Sequence, residues 1–241
     1  MSSDRIPRHI AIVMDGNGRW ARKKGLRRID GHRAAEKSIH EAVEWCGEKG
    51  VQFLTLFAFS TENWKRPRTE VSFIMSLLSS FIRRNIDDLD RRSVKLRAIG
   101  RLEALPPGPR ADLDAAIERT SRNTGLNLVL ALNYGGRAEI VDAARRIAVE
   151  VLEGRLAPDG ITEESFSSRM YLPEMPPPDL VIRTSGEQRI SNFLLWESAY
   201  SEFVFPEVLW PDFSKTHLDE ALAVYSARDR RFGGLADGED S

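Results

Sequence analysis

The 241-residue chain contains a single cysteine, Cys46. No intramolecular disulfide can form, which excludes a small disulfide-stapled secreted scaffold and fits a reducing compartment. No stretch approaches the roughly 18 consecutive apolar residues of a membrane span. The first residues, Met1–Arg8, lack the apolar core of a signal peptide. Neither sign of charge dominates, since 35 Lys and Arg face 36 Asp and Glu. A bulk polybasic nucleic-acid binder is thereby excluded, and no nucleic-acid partner is expected. There is no Gly-x-x-x-x-Gly-Lys-Ser/Thr stretch, which excludes a P-loop, and no internal repeat or low-complexity linker. The expectation is a cytoplasmic protein. Contact with the inner-membrane surface stays open to it, because peripheral binding needs no span.

What is present suits a folded enzyme-sized domain: 41% hydrophobic and 29% charged residues. The length fits one domain over 1–241, with 1–7 and 235–241 expected as flexible tails. Short apolar segments rich in Ile, Val, Leu and Phe predict strands at His9–Met14, Gln52–Phe59, Val94–Ile99, Leu126–Asn133, Asp179–Arg183 and Glu202–Phe205. Between them lie helical patterns at Asp30–Lys49, Thr69–Arg91, Pro109–Asn123, Arg137–Leu152, Glu163–Tyr171 and Lys215–Arg230. Such alternation predicts an α/β fold, a mostly parallel central sheet flanked by helices. Cys46 reads as a small buried hydrophobe on one of those helices.

The unusual residues fall after strands. The first strand runs into Asp15-Gly16-Asn17-Gly18-Arg19-Trp20, the second into Ser60-Thr61-Glu62-Asn63-Trp64-Lys65-Arg66, the fourth into Asn133-Tyr134-Gly135-Gly136-Arg137, and the fifth into Arg183-Thr184-Ser185-Gly186-Glu187-Gln188-Arg189. The carboxyl ends of parallel strands share one edge, where ligands bind. Short connections account for the glycines, but not for repeated arginines beside tryptophans. Arginine forks match phosphate oxygens, so Arg19, Arg28, Arg183 and Arg189 point to a polyanionic ligand such as a diphosphate. Asp15, at a Gly-x-Gly-Arg turn, reads as a magnesium ligand bridging to diphosphate oxygens. A helix cap is the plainer alternative for it. His32 could cap, pack or donate to a phosphate.

Competing motifs are weaker. Gly16-Asn17-Gly18-Arg19-Trp20-Ala21 has the form of a dinucleotide fingerprint, but the acid expected at the end of the next strand is missing. The run Asp87-Asp88-Leu89-Asp90-Arg91 reads as a helix face, with Arg83–Asp87 and Arg84–Asp88 at i,i+4 spacing. The apolar stripe Ile74, Leu77, Leu78, Phe81, Ile82 and Ile86 reads as core, or in part as the lining of an apolar groove.

Together the segments resemble the cis-prenyltransferase (isoprenyl transferase) family, with the bacterial undecaprenyl diphosphate synthases among its members. The matching stretches are His9–Ala21, Gly31-His32, Leu56–Pro67, Asn133–Arg137, Asp179–Thr184, Arg189–Trp196, Tyr200–Glu202 and Leu209–Phe213. The resemblance implies a homodimeric α/β enzyme that uses Mg2+ to add isopentenyl diphosphate to an allylic diphosphate, usually farnesyl diphosphate, making each new double bond Z. It implies Asp15 and Asn63 as catalytic residues, and Asp15 and Glu202 as metal ligands. Gly16, Asn17, Gly18, Arg19, Arg28 and His32 would cradle the allylic diphosphate with Trp20 beside it. Ser60, Thr61, Glu62, Trp64 and Arg66 would lie on the substrate-binding loop. Arg183, Arg189, Ile190 and Ser191 would receive isopentenyl diphosphate. Arg231-Phe232-Gly233 resembles an element that reaches the site across a dimer interface.

Asn63 holds the position of the family's proton acceptor. A neutral amide is a poor ultimate base, so it is expected to orient or relay, with a diphosphate oxygen taking the proton. Ser185 stands where the family has glycine. Three functions follow for test: a long-chain synthase, undecaprenyl by default; a short-chain synthase with Phe73 or Phe81 blocking the tunnel; and a non-catalytic scaffold subunit. A trans-prenyltransferase is disfavoured because no complete D-D-x-x-D occurs.

Overall fold

Every residue of the first strand, β1 (His9–Val13), is buried, as expected of a strand covered on both faces of a sheet. Its side chains alternate between two cores. Ile10 and Ile12 join Leu54, Leu56, Leu96 and Leu128 on one face, while Ala11 and Val13 join Phe53, Val129, Tyr134 and Phe193 on the other. The computed structural model describes residues 5–228.

The chain continues through α1 (Asn17–Lys23), α2 (Arg28–Lys49), β2 (Phe53–Ser60), α3 (Arg68–Arg91), β3 (Lys95–Ile99), α4 (Pro107–Arg119) and β4 (Asn127–Tyr134). Then come α5 (Gly136–Leu152), α6 (Glu163–Ser167), β5 (Leu180–Arg183), β6 (Glu202–Val204) and α7 (Lys215–Ser226). The six strands form one parallel sheet in the order β3-β4-β2-β1-β5-β6. From β1 the chain moves to one side through β2, and from β5 it moves to the other through β6. The carboxyl ends of β1 and β5 therefore flank the point where winding reverses, which is where an open parallel sheet leaves a crevice.

All six expected strands form, within a residue or two at each end. Helix α1 was not expected: Asn17–Lys23 read as a basic turn, yet it closes seven residues of helix after Gly16. Helix α6 stops at Ser167, short of the expected Tyr171. The two i,i+4 pairs expected on α3 do not form. Arg83 bonds Asp112 of α4 and Arg84 bonds Glu36 of α2. Asp87 pairs with Arg119 of α4, while Asp88 takes Arg91 and Arg92. Helices packed on either side offer partners that an isolated helix lacks. Of the expected N-terminal tail, Pro7 is buried; the tail 235–241 and Arg231-Phe232-Gly233 lie outside the described residues. Among the described residues, no helix is long and apolar enough to cross a membrane.

Candidate active site

A cavity of about 710 Å3 lies between the sheet and helices α2 and α3. Its deep part is apolar, walled by Ile39, Leu56, Ile74, Leu78, Phe81 and Leu132, and its mouth at the strand ends carries Asp15, Asn17, His32, Asn63, Arg66 and Arg183. Phe81 therefore does face the cavity. Phe73 does not line it and instead sits beneath the Arg33 guanidinium.

One polar cluster forms where β1 meets β5. Register places Val13 opposite Arg183, so Asp15 emerges beside it. The main chain turns at Gly16, where φ is 106° and a β-carbon would stand 2.9 Å from Leu209 Cδ2. Asp15 receives hydrogen bonds from Arg183 Nη2 (2.8 Å) and Gly16 N (2.7 Å). Arg183, only 4% exposed, also donates through Nη1 to the Arg189 carbonyl (2.7 Å) and Ser191 Oγ (2.6 Å). Its buried Nε has no protein partner, which leaves a donor for an anion.

Arg19 reaches the same edge. It donates to the Ser185 carbonyl and hydroxyl and pairs with Glu187 at 2.9 Å. Ser185 takes the left-handed conformation (φ 79°) that glycine would adopt freely. Arg189 also pairs with Glu187. Glu187 thus stands as an internal counter-anion between two arginines.

A second cluster lies on α2 and α3. Glu70 Oε1 takes Arg28 Nε at 3.1 Å and Arg66 Nη1 at 3.0 Å. His32 Nε2 stands 3.8 Å from the same oxygen, but the two do not form an ion pair. Burial, then the adjacent Arg66, lowers the His32 pKa to about 4, so the ring is neutral near pH 7. Asn17 Nδ2 approaches His32 Nδ1 at 3.4 Å, and Asn17 Oδ1 and His32 Nε2 are buried without partners. Gly18 packs beside the Arg28 side chain.

The segment after β2 forms a 3-10 turn, Thr61–Lys65. Asn63 Oδ1 accepts from Ser60 N at 3.1 Å, so the amide turns back on its own loop through its oxygen. Glu62 accepts from Asn192 Nδ2 at 2.9 Å. Burial raises the Glu62 pKa, but that bond and those from its own loop outweigh it and hold the carboxyl below its usual value.

Other expected site residues sit elsewhere. Trp64 does not line the cavity; its indole donates to Asn133 Oδ1 at 2.7 Å and packs edge-on against Phe59. Trp20 likewise bonds Asp212 at 2.8 Å, with Lys24 over its ring. Thr61 packs against Gly135, and Ile190 is 39% exposed. Glu202 is not brought to Asp15 within one chain. It lies opposite Leu180 at the amino end of β5, three residues or roughly 10 Å from Arg183, and it bonds Arg228 at 2.7 Å.

Magnesium fits Asp15. This ion takes one or two carboxylates and completes its octahedron with water and phosphate oxygens. Asp15 offers a part-exposed carboxylate (30%) at the cavity mouth. Among the described residues, no cluster of three or more His, Cys, Asp or Glu forms a closed metal cage. Sequence reasoning passed over Glu70, Glu187 and Asn192. The spacing of Glu70, four residues after Arg66, was a readable signal; Glu187 and Asn192 stand inside the motif stretches but carry no spacing that marks their partners.

Residues 13–233 match the family model Prenyltransf, that of undecaprenyl diphosphate synthase. An isoprenyl transferase of Agrobacterium fabrum is 52% identical over 96% of this chain and 94% of its own. A Thermobifida fusca trans,polycis-polyprenyl diphosphate synthase, (2Z,6E)-farnesyl diphosphate specific, is 51% identical over 95% of this chain and 81% of its own. The crystal structure of lavandulyl diphosphate synthase from Lavandula x intermedia, in complex with dimethylallyl diphosphate, superposes with a TM-score of 0.92 at 36% identity, covering 94% of this chain and 98% of that one.

Proposed function

The chain belongs to the undecaprenyl diphosphate synthase family of isoprenyl transferases, and from that premise we propose that it condenses isopentenyl diphosphate with farnesyl diphosphate in a Mg2+-dependent reaction. The product is a Z-polyprenyl diphosphate, undecaprenyl diphosphate for the cell-wall carrier lipid. One observation carries the reading. Two separate donor groups, His32 with Arg66 and Arg183 with Arg189 and Ser191, open on a single cavity with an apolar interior, and Arg28 joins the first through the shared Glu70. Two anionic heads and one hydrocarbon chain call for that layout.

In this reading the allylic diphosphate sits over Asn17, Gly18, Arg28 and His32. Neutral His32 donates through Nε2 without adding charge. Asn17 Nδ2 faces Nδ1, a pairing that suits a ring carrying its proton on Nε2. The isopentenyl diphosphate lies against Arg183, Arg189 and Ser191, where the free Arg183 Nε supplies a buried donor. Arg19 serves the same edge once a diphosphate displaces Glu187. Asp15 would hold magnesium, which when bound offsets the charge left on the departing diphosphate.

The allylic C–O bond breaks, the freed carbon bonds to the isopentenyl double bond, and a proton leaves the adjacent carbon. Arginine donors already aimed at the diphosphate stabilise the charge that develops, with little reorganisation. Asn63, with its oxygen taken by Ser60 N–H, offers its NH2 to a diphosphate oxygen and so orients the isopentenyl diphosphate. The proton passes to a diphosphate oxygen.

The test is a product assay with labelled isopentenyl diphosphate, farnesyl diphosphate and magnesium, with and without chelator, resolving chain length and double-bond geometry. A magnesium-dependent Z-product is expected. Phe81 in the cavity wall favours the one alternative worth carrying, a synthase that stops at a shorter chain. No incorporation with any allylic starter would overturn the catalytic reading. A homodimer in the cytoplasm, touching the membrane surface when product leaves, completes the proposal.

A further inference from the structure

Asn192 joins three segments that follow three different strands. Its Nδ2 donates to Glu62 Oε1 (2.9 Å) in the turn after β2, and its Oδ1 accepts from Arg137 N (2.8 Å) at the start of α5, after β4. Its own carbonyl accepts from Gly136 N (2.7 Å). The partners fix the amide orientation without ambiguity. A carboxylate only accepts and a main-chain N–H only donates. Asn192 holds φ at 63° directly after Ser191 at 54°, and this places its side chain between the other two loops. The approach is close enough that a β-carbon on Gly135 would stand 2.6 Å from Asn192 Nδ2 and 2.8 Å from Thr61 Oγ1.

The neighbours of these bonds give them meaning. Glu62 precedes Asn63, and Asn192 follows Ser191. Ser191 is in turn fixed from the other side by Arg183 Nη1 at 2.6 Å. A single amide therefore sets the spacing between the loop that orients the leaving proton and the loop that takes the incoming diphosphate. We propose that Asn192 is a positioning residue, which keeps the Asn63 loop and the Arg189–Ser191 loop in register for the condensation step. Asn192 lines the cavity, but its amide oxygen and one of its N–H donors are spent on the neighbouring loops, and Glu62 acts through it as a strut. The inference rests on the functional reading above.

Replacement by a hydrophobe of similar size leaves Glu62 and Arg137 N unpaired and frees the two loops to drift. A misplacement of about 1 Å can cost about 100-fold in rate. Asn192→Leu is expected to lower kcat by roughly 10- to 100-fold and raise the KM for isopentenyl diphosphate, with the KM for farnesyl diphosphate within about twofold of the parent. That split follows because Asn17, Arg28 and His32 lie on α1 and α2, which Asn192 does not touch.

A charge swap separates positioning from mere folding. Asn192→Asp keeps the acceptor for Arg137 N but sets a second carboxylate against Glu62. Its activity should fall and should partly recover toward pH 5, as one of the two carboxyls protonates. In the double variant Asn192→Asp/Glu62→Gln, donor and acceptor are exchanged and the bond is restored. It should exceed Asn192→Asp in kcat several-fold, read against Glu62→Gln alone, which keeps its acceptor for Asn192 and reports the loss of the Glu62 charge itself.

Circular dichroism and melting of each variant establish that it is folded. Folded Asn192→Leu with parental kcat and KM overturns the proposal. So does a double variant no better than Asn192→Asp alone, which also decides the matter if Asn192→Leu does not fold. A parent protein that condenses nothing overturns the functional reading instead, since it is assayed first and alone.

Discussion

Arg183 and Asp15, separated by 168 positions in the chain, meet at 2.8 Å. The pair ties the ends of β5 and β1 together at the winding reversal of the sheet. Because Arg183 also binds the Arg189 carbonyl and Ser191 Oγ, the guanidinium is shaped by protein on one edge and left open at Nε. Asp15→Asn removes the negative charge but leaves those other two bonds. It should melt within a few degrees of the parent while losing about 100- to 1,000-fold in kcat. Incorporation of labelled isopentenyl diphosphate, measured beside a thermal melt, checks both halves.

Glu187 holds Arg19 and Arg189 in ion pairs, and in the proposed reading it competes with substrate for both. Both ion pairs are substantially exposed, so each is worth about 1 kcal/mol or less. Glu187→Gln should therefore lower the KM for diphosphate substrates by only about two- to fivefold, and the gain should shrink as salt is raised. Steady-state kinetics at two ionic strengths measure it. An increase in KM would mean that Glu187 aids binding.

Behind the site, Glu139 and Glu197 are buried together beside Tyr134, which donates to Glu139. Burial, and then the neighbouring Glu139, raises the Glu197 pKa from 4.5 to about 8. The folded protein thus holds a proton that the unfolded chain releases above its ordinary carboxylate pKa. The stability this group contributes is fully present below pH 4.5, and it is lost as pH rises from there through about 8. Glu197→Gln should melt above the parent at pH 8, with the difference closing toward pH 5. Melting temperatures across that range decide the point, and parallel curves for the two proteins would refute it.

Phe81 projects from α3 into the apolar part of the cavity, whereas Phe73 does not line it. Phe81→Ala should shift the product distribution toward longer chains and cost stability, by less than the about 3–5 kcal/mol of a fully buried site because Phe81 is only half-buried. Phe73→Ala should leave chain length unchanged. Thin-layer separation of dephosphorylated products reads both.

The four central strands β1, β2, β4 and β5 were legible because each is a short, mostly apolar run buried largely on both faces, whereas the edge strand β3 (Lys95–Ile99) read through its alternation of polar and apolar residues. Helix α1 was not legible. Asn17-Gly18-Arg19-Trp20 has poor helix propensity, and the segment is held by contacts with α2 and the Trp210–Asp212 turn. The α3 ion pairs were misread for a related reason. Charges at i,i+4 spacing can pair along one helix, but α2 and α4 supply partners at shorter reach.

The site followed the same division. Motif residues at the ends of β1, β2, β4 and β5 could be assigned to one edge from the order of elements alone, because parallel strands all end on the same side. Which of them face the cavity could not. Trp20 and Trp64 carry conspicuous indoles, yet each spends its N–H on a structural acceptor, while Glu70, Glu187 and Asn192 gather the charged and polar groups around the mouth. Composition, periodicity and motif order determined the fold class, the family resemblance and the edge that carries the chemistry, since those depend on local patterns and on strand direction. Only the tertiary structure decided that Arg183 grips Asp15, that Glu202 pairs with Arg228, and that Asn192 spans three loops. Contacts between residues more than a hundred positions apart are set by register and packing, and no local pattern in the chain encodes them.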